Sequence, residues 1–256
     1  MGRPRILILG GTGEARRLAE ALAARDDCDV LLSLAGRTEK PAAQPVPLRI
    51  GGFGGAAALA DFLKAGGYGL LIDATHPFAE RISANAAFAA ETTGIAAIAL
   101  RRPEWHRRPG DRWREVQSIP AAIEALGPTP RHVFLATGRQ GAHHAEAAPQ
   151  HHYLVRSVDP VKPPLALDNV DYVLERGPFT LDGECDLLRQ HDIDVIVAKN
   201  SGGAATYAKI EAACLLGIEV MMVARAPAPI VKAVDTIEAA LAVIDHLFPP
   251  AMKRGV

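Results

Sequence analysis

The stretch "RILILGGTGEARRLAEAL", residues 5–22, decides the fold. It starts as a short apolar run of strand type and passes through a glycine-rich turn. It then continues as a segment whose small and apolar side chains recur at helical spacing, at Ala15, Leu18, Ala19 and Leu22. A buried strand that runs through glycines into an amphipathic helix predicts the first βα unit of a parallel sheet.

The same alternation of apolar runs and amphipathic segments continues through the first hundred residues and resumes near residue 131. Parallel strands joined by helices carry helices on both faces of the sheet. We therefore predict an α/β protein with two Rossmann-like domains, mostly parallel sheets and a cleft between the domains. The predicted boundaries are 1–105 for an NADP-binding domain, 106–130 for an inter-domain region and 131–256 for a substrate-binding domain.

Composition excludes several classes of protein. The chain has 256 residues and a net charge of -1, which argues against a nucleic-acid binder that works through overall basicity. No apolar run reaches the roughly 18 residues of a membrane helix. The histidine-rich segment 143–152 lacks metal-ligand spacing, so no metal is predicted. The three cysteines are Cys28, Cys185 and Cys214. They form no C-x-x-C pair, which fits a cytoplasmic protein.

The glycine turn after the first strand is a predicted diphosphate site. Gly10, Gly11 and Gly13 permit positive φ and let backbone N–H groups approach an anion, and the helix N-terminus adds roughly half a positive charge. The pattern departs from G-x-G-x-x-G because Arg16 stands where a third small residue is expected. The alternative is a plain βα turn with no ligand.

The residues after the second strand indicate which dinucleotide binds. NAD sites usually carry an acid at the end of that strand, whereas NADP sites carry cationic or hydroxyl groups. Here the strand is followed by Ser33, Arg37 and Thr38, before the first acid at Glu39. Because a guanidinium makes paired hydrogen bonds to phosphate, we predict NADP(H). The alternative is that Arg37 is a solvated loop residue.

The motif "DATHPFA", residues 73–79, follows a later strand. Ligands of doubly wound sheets lie at the carboxyl ends of strands, so we expect Asp73 and Ala74 near the cofactor and Thr75 and His76 beside the nicotinamide or the substrate. His76 is also a candidate proton donor because its ordinary pKa is about 6.5. The alternative is that Thr75 only caps the following helix.

Two further stretches suit a flat ligand that carries carboxylates. Residues 101–114 contain six arginines and two tryptophans, and "AKNSGGAATYAKI", residues 198–210, resembles a second anion-binding glycine turn. A third turn, "LATGRQG", spans residues 135–141. A solvated charged face is the alternative for the arginines, and RNA is the rival ligand.

Taken together, "ILGGTGEAR", "GGFGG", "DATHPFA", "RRPEW", "ATGRQG" and "KNSGGAATYAKIEAA" resemble the precorrin-6A reductase family of cobalamin biosynthesis. The motifs occur in the same order over nearly the whole chain; the cobalt-precorrin-6A enzymes are close relatives. The resemblance implies an oxidoreductase that acts on a CH–CH group, reducing one macrocycle double bond of precorrin-6A with NADPH to give precorrin-6B. One departure is "ARAP", residues 224–227, where the family pattern has Arg followed directly by Pro.

The resemblance also implies roles for individual residues. The expected cofactor-binding set is Gly10, Gly11, Thr12, Gly13, Glu14, Arg16, Ser33, Arg37, Thr38, Asp73, Ala74, Thr75 and His76. The expected macrocycle-binding set is Arg102, Trp105, Arg139, Lys199, Asn200, Ser201 and Gly202. The candidate catalytic proton donors are Tyr207, His76 and Lys199, with water as a fourth.

The implied partner is a polycarboxylate tetrapyrrole, without nucleic acid or membrane, and membership in a multistep pathway implies transient contact with neighbouring pathway enzymes. Two rival functions stay open on the residues alone. A two-domain glycosyltransferase also seats a nucleotide diphosphate on glycine turns. A non-catalytic regulator that senses NADP would carry the same first domain.

Overall fold

The computed structural model describes residues 3–36, 42–229 and 231–249. Within these ranges the chain divides into two compact units. The first unit comprises the chain up to Arg102 together with the segment from Pro227 onward, and the second comprises Pro103–Ala226.

The amino-terminal part of the first unit alternates strands and helices as predicted. Its elements are β1 (Arg5–Leu9), α1 (Gly13–Ala23), β2 (Asp29–Leu34), β3 (Leu48–Ile50), α2 (Ala56–Ala65), β4 (Tyr68–Asp73), α3 (Glu80–Thr93) and β5 (Ala96–Leu100).

The second unit repeats this alternation with helices that are mostly shorter. They are β6 (Trp113–Val116), α4 (Ile119–Ala125), β7 (His132–Ala136), α5 (Arg139–Ala142), a 3-10 helix (His143–Ala147), β8 (His152–Ser157), β9 (Val170–Leu174), α6 (Leu181–Gln190), β10 (Val195–Lys199), α7 (Ala208–Leu216) and β11 (Glu219–Val223).

The chain then returns to the first unit. Strand β12 (Lys232–Val234) pairs in parallel with β5, and α8 (Ile237–Leu247) packs against α1 through Ala240 and Ile244. The observed division therefore differs from the predicted boundaries. The last segment of the predicted 131–256 domain completes the first sheet, and β6 and α4, inside the predicted 106–130 inter-domain region, belong to the second unit.

The first sheet has the strand order β12-β5-β4-β1-β2-β3 in the described residues, and each of its pairings is parallel. Central strand β1 is buried on both faces. Ile6 and Ile8 pack with α1 and α8, whereas Leu7 and Leu9 pack with α2 and α3. A continuous apolar strand of this kind is typical of a parallel sheet covered on both sides.

The register of the first sheet brings several predicted residues to one edge. Leu9, at the carboxyl end of β1, is aligned with Ser33 of β2 on one side and Asp73 of β4 on the other. Ser33 is in turn aligned with Arg49 of β3. The turns after these strands therefore lie at the sheet edge where ligands usually bind in this topology.

The second sheet has the order β6-β11-β10-β7-β8-β9 over the described residues, again with parallel pairings. Strands β10 and β7 lie at its centre, and Ala198 is aligned with Ala136. Two mostly parallel α/β units confirm the predicted fold class. No helix within the described ranges has the length and apolar character needed to cross a membrane.

Candidate functional site

The glycine turn after β1 fits a diphosphate. Gly11 has φ +116°, and a Cβ atom built on Gly11 or on Gly13 would meet no heavy atom within 4 Å. Gly10 has a different role, because its Cβ would lie 2.7 Å from a Leu32 methyl group. The turn thus has one glycine required by packing, followed by an open backbone surface that an anion could approach.

Thr12 caps helix α1 immediately after this surface. Its hydroxyl accepts from the Ala15 N–H at 3.1 Å, and its carbonyl accepts from the Arg16 N–H at 3.3 Å. The N–H groups of Gly13 and Glu14 have no acceptor among the residues that the structure describes. First-turn N–H groups of this kind are the usual anion donors of a helix.

The carboxyl ends of β1 and β4 are joined at this turn. The Thr12 hydroxyl donates to the Ala74 carbonyl at 2.7 Å. Next to it, the buried Asp73 carboxylate accepts from the Thr75 N–H at 3.1 Å, the Thr75 hydroxyl at 2.6 Å and the Arg101 guanidinium at 3.1 Å. Asp73 therefore organises this edge through its protein neighbours.

The alternative in which Thr75 only caps the following helix is wrong. Helix α3 begins at Glu80, and Ala79 occupies the cap position with no side-chain hydrogen bond. Pro77 precedes the helix and is not in its first turn. Thr75 instead points its hydroxyl to Asp73, which keeps it at the sheet edge.

His76 is half-buried at the same edge. Its Nδ1 accepts from the Phe78 N–H at 3.2 Å. Nδ1 is therefore unprotonated in this arrangement, and the ring hydrogen of the neutral imidazole lies on Nε2. In this form Nε2–H can donate a hydrogen bond but does not readily release a proton.

The sequence analysis missed a cation on β3, Arg49, which lies beside Ser33 near the end of β2. Arg49 Nη1 lies 3.4 Å from the hydroxyl of buried Ser33 and bonds the Gly51 carbonyl, while Nη2 bonds the Gly52 carbonyl at 2.9 Å. Its guanidinium also stacks 3.9 Å from the centre of the Phe53 ring. The sequence feature that could have indicated this cation is an arginine two residues before "GGFGG". The predicted phosphate residues Arg37 and Thr38 lie outside the described residues.

Glu14 was predicted to bind the cofactor and Arg102 to bind the macrocycle. The two side chains form an ion pair, with 3.0 Å between Glu14 Oε2 and Arg102 Nη1. Arg17 also approaches Glu14, at 3.4 Å. Arg16, expected to assist the diphosphate, pairs with Glu20 at 3.1 Å on an exposed helix face. The structure therefore brings Arg102 to the glycine turn of the first unit.

The glycine turn of the second unit packs against the chain itself. Gly202 has φ +67°, and a Cβ there would overlap the Pro103 carbonyl oxygen and lie 2.5 Å from Arg225 Nη2. Arg225 Nε donates to the Asn200 carbonyl at 2.8 Å, which gives Arg225 a definite place in this unit. Since α7 begins only at Ala208, the expected likeness to the first turn does not hold.

Hydrogen bonds between Trp105 and Asn200 stabilise the contact between Pro103 and the turn at Gly202. The Trp105 N–H donates to the Asn200 side chain at 2.9 Å, and the Asn200 amide donates back to the Trp105 carbonyl at 3.0 Å. The indole N–H donates to the Gly203 carbonyl at 2.8 Å. Trp105 is only 8% exposed, so its ring face is covered by protein.

Four polar side chains follow the neighbouring central strands of the second sheet. Lys199 ends β10 and is followed closely by buried Ser201, while Thr137 and Arg139 follow β7. The Thr137 hydroxyl is buried and has no hydrogen-bond partner within the described part of the chain. A cation, a hydroxyl and a guanidinium at one sheet edge suit a ligand with carboxylates.

Tyr207 lies at the start of α7, with its ring 5.7 Å from the Trp105 ring and the Arg108 guanidinium 4.7 Å from its centroid. Burial raises the pKa of the Tyr207 phenol, and the nearby Arg108 charge opposes that rise. The phenol is therefore a weaker acid than an ordinary tyrosine.

No group of His, Cys, Asp or Glu side chains suited to a metal ion is found in the described ranges.

A parallel sheet with an open glycine turn after its first strand gives the first unit an architecture of Rossmann type. The family model described as "Precorrin-6x reductase CbiJ/CobK" matches residues 5–245, and the chain belongs to this family.

Named relatives agree with this family. The chain is similar to "Precorrin-6A reductase" of Sinorhizobium sp, with 58% identity over 98% of this chain and 96% of the relative. It is 47% identical to "Precorrin-6A reductase" of Rhodobacter capsulatus, over 98% of this chain and 99% of the relative. The solved structure "CobK precorrin-6A reductase" matches with a TM-score of 0.91 and 47% identity, over 99% of this chain and 100% of that one.

These comparisons confirm the predicted family and the assignment as an oxidoreductase of cobalamin biosynthesis. They favour this function over the glycosyltransferase and regulator alternatives. A reductase of this family uses a nicotinamide cofactor, and the open turn at Gly11 and Gly13 fits the diphosphate of such a molecule.

Proposed function

We propose that this enzyme reduces one carbon–carbon double bond of precorrin-6A with NADPH and yields precorrin-6B. The observation that carries the proposal is the open glycine turn at Gly11 and Gly13, found in a chain of the precorrin-6x reductase family. The names of the relatives supply the substrate class. The lack of a membrane-spanning helix in the described residues is compatible with a cytoplasmic location.

The first unit would hold the cofactor. The backbone of Gly10–Glu14 would bind the diphosphate, and Thr75 and His76 would border the nicotinamide. When bound, the reduced nicotinamide supplies the hydride. Asp73 and Ala74 contribute by fixing Thr75 and Thr12, as their hydrogen bonds indicate.

NADPH is favoured over NADH by the cations around the end of β2. Arg49 lies beside Ser33, and Arg37 and Thr38 follow in the sequence. A guanidinium suits the 2′-phosphate, which NADH lacks. We expect Arg37→Ala to weaken NADPH binding well beyond NADH binding, as measured by fluorescence titration. Equal weakening of both would contradict a phosphate contact at Arg37.

The second unit would bind the macrocycle. Lys199, Ser201 and Arg139 stand at the ends of neighbouring central strands, with Thr137 beside them. Charge-assisted hydrogen bonds to substrate carboxylates would fix the acceptor carbon for hydride transfer. Trp105, Asn200 and Gly202 would support this surface by holding the turn in place.

A proton must also reach the neighbouring carbon of the macrocycle. The candidate donors are His76, Lys199, Tyr207 and water. The hydrogen bond from the Phe78 N–H to Nδ1 favours the neutral form of His76, which is a poor proton donor, and burial raises the pKa of Tyr207 and weakens it as an acid. The extended conjugation of the substrate stabilises developing charge, so a strong protein acid is not required.

An absorbance assay tests the proposal. We expect NADPH oxidation on addition of precorrin-6A, faster with the cobalt-free than with the cobalt-loaded substrate. NADPH binding without turnover would indicate the regulator, and binding of UDP-sugars in place of NADPH would indicate the glycosyltransferase.

A further inference from the structure

The ion pair between Glu14 and Arg102 lies at the glycine turn of the first unit. Glu14 is the second residue of α1, and its Oε2 lies 3.0 Å from Arg102 Nη1. The two side chains are only 18% and 17% exposed, whereas Arg17, which also approaches Glu14, is 62% exposed. Arg102 is therefore the shielded partner of this carboxylate and Arg17 the solvated one.

The position of Glu14 creates an electrostatic conflict with the proposed cofactor. Its backbone N–H is one of the first-turn donors without an acceptor in the described residues, so it belongs to the proposed diphosphate surface. Its carboxylate stabilises the helix N-terminus but repels a diphosphate bound at the same turn. A partly desolvated guanidinium at 3.0 Å from this carboxylate opposes that repulsion.

We propose that Arg102 serves cofactor affinity: it neutralises Glu14 and holds the carboxylate away from the diphosphate. Arg102 is thus a positioning residue of the reductase and not a macrocycle ligand, contrary to the expectation from its place in the basic stretch. This inference rests on the proposed function, because it assumes a diphosphate at Gly11–Glu14.

A double-mutant cycle tests the inference through NADPH binding, measured by calorimetry without the macrocycle. We expect Arg102→Met to weaken NADPH binding about tenfold, because Glu14 is left unneutralised. Glu14→Gln should bind within about threefold of the wild type, and the double variant E14Q/R102M should recover to the same range. Arg17→Met is the matched control, with a change under about twofold because this arginine is largely solvated.

A double variant that binds NADPH as weakly as R102M would overturn the inference, since the loss would then not act through Glu14. So would an R102M variant with unchanged NADPH affinity and a raised KM for precorrin-6A. Arg102→Lys, which keeps the charge, separates charge loss from misfolding and should lose less affinity than R102M. Failure of the wild type to bind NADPH would instead remove the proposed function itself.

Discussion

Thr12 and Ala74 are joined by a hydrogen bond of 2.7 Å, from the hydroxyl at the start of α1 to the carbonyl after β4. The same hydroxyl accepts from the Ala15 N–H, so one side chain both caps the helix and fixes the glycine turn to the neighbouring strand end. The proposed diphosphate and nicotinamide contacts lie on the two sides of this bond. We therefore propose that Thr12 couples the stability of α1 to the geometry of the cofactor site.

Comparing a variant at Thr12 with one at another helix cap separates these two roles. We expect Thr12→Ala to lower the free energy of unfolding by about 1 kcal/mol through loss of the cap, and to weaken NADPH binding several-fold as the turn loosens. Thr236→Ala is the matched control, because Thr236 caps α8 with the same bond to Ala239 N–H at 3.1 Å. It should lose similar stability with no loss of NADPH affinity. Equal effects on affinity would refute a special role for Thr12.

Gly202 and Gly217 offer a comparison in which φ is held constant at +67°. A Cβ on Gly217 would meet no atom within 4 Å, whereas one on Gly202 would overlap the Pro103 carbonyl. We expect Gly217→Ala to destabilise by about 1–2 kcal/mol, the ordinary penalty of a left-handed conformation. Gly202→Ala should destabilise clearly more and raise the KM for precorrin-6A. Denaturant unfolding of both variants measures this, and equal losses would show that the Pro103 contact yields easily.

The first βα unit could be predicted because its signals are local. The four helix positions spaced at i, i+3, i+4 and i+7 are all buried in α1, and the glycines sit where the strand ends. Strands β6 and β12 could not be found in this way. They have four and three residues, and β6 carries Arg114 and Glu115 at its centre. Their membership in a sheet depends on pairing with distant strands, such as Trp113 with Val220.

The candidate site shows the same limit. The turns at Gly11 and Gly202 look alike in sequence, yet one is open and the other is filled by Pro103. Nothing within either motif specifies that difference, because the filling residue comes from another part of the chain. The pairing of Glu14 with Arg102, 88 positions apart, was likewise beyond a reading of local motifs.

Tyr207 tests how the proton reaches the substrate. Burial raises the pKa of its phenol, so the group stays protonated at neutral pH but releases the proton reluctantly. We expect Tyr207→Phe to lower kcat less than tenfold, below the roughly 100-fold or greater loss typical of a general acid. Tyr172→Phe, on strand β9, controls for general effects of removing a hydroxyl from the second unit. A 100-fold fall in kcat at unchanged KM would assign the proton to Tyr207.

We expect His151 to make the stability of the second unit depend on pH. Its side chain is fully buried, and Nδ1 has no hydrogen-bond partner in the described residues. Burial lowers its pKa below the ordinary 6.5; a backbone hydrogen bond at Gly127 opposes this shift, and the Arg131 charge adds to it. The folded state therefore favours neutral imidazole. Between the pKa of His151 in the folded state and 6.5, the unfolded chain binds a proton that the folded chain does not. The contribution of His151 to the free energy of unfolding is therefore fully present above pH 6.5 and decreases as the pH drops through this window.

We accordingly expect the Tm of the wild type to decrease between pH 7 and pH 5, and His151→Gln to flatten that decrease even if its Tm is lower throughout. The slope, not the absolute Tm, carries the result, because carboxylates and other histidines contribute equally to both proteins. His144→Gln, at an exposed position of the neighbouring 3-10 helix, should keep the wild-type slope. An unchanged slope in the His151 variant would mean that the buried imidazole does not set the pH dependence.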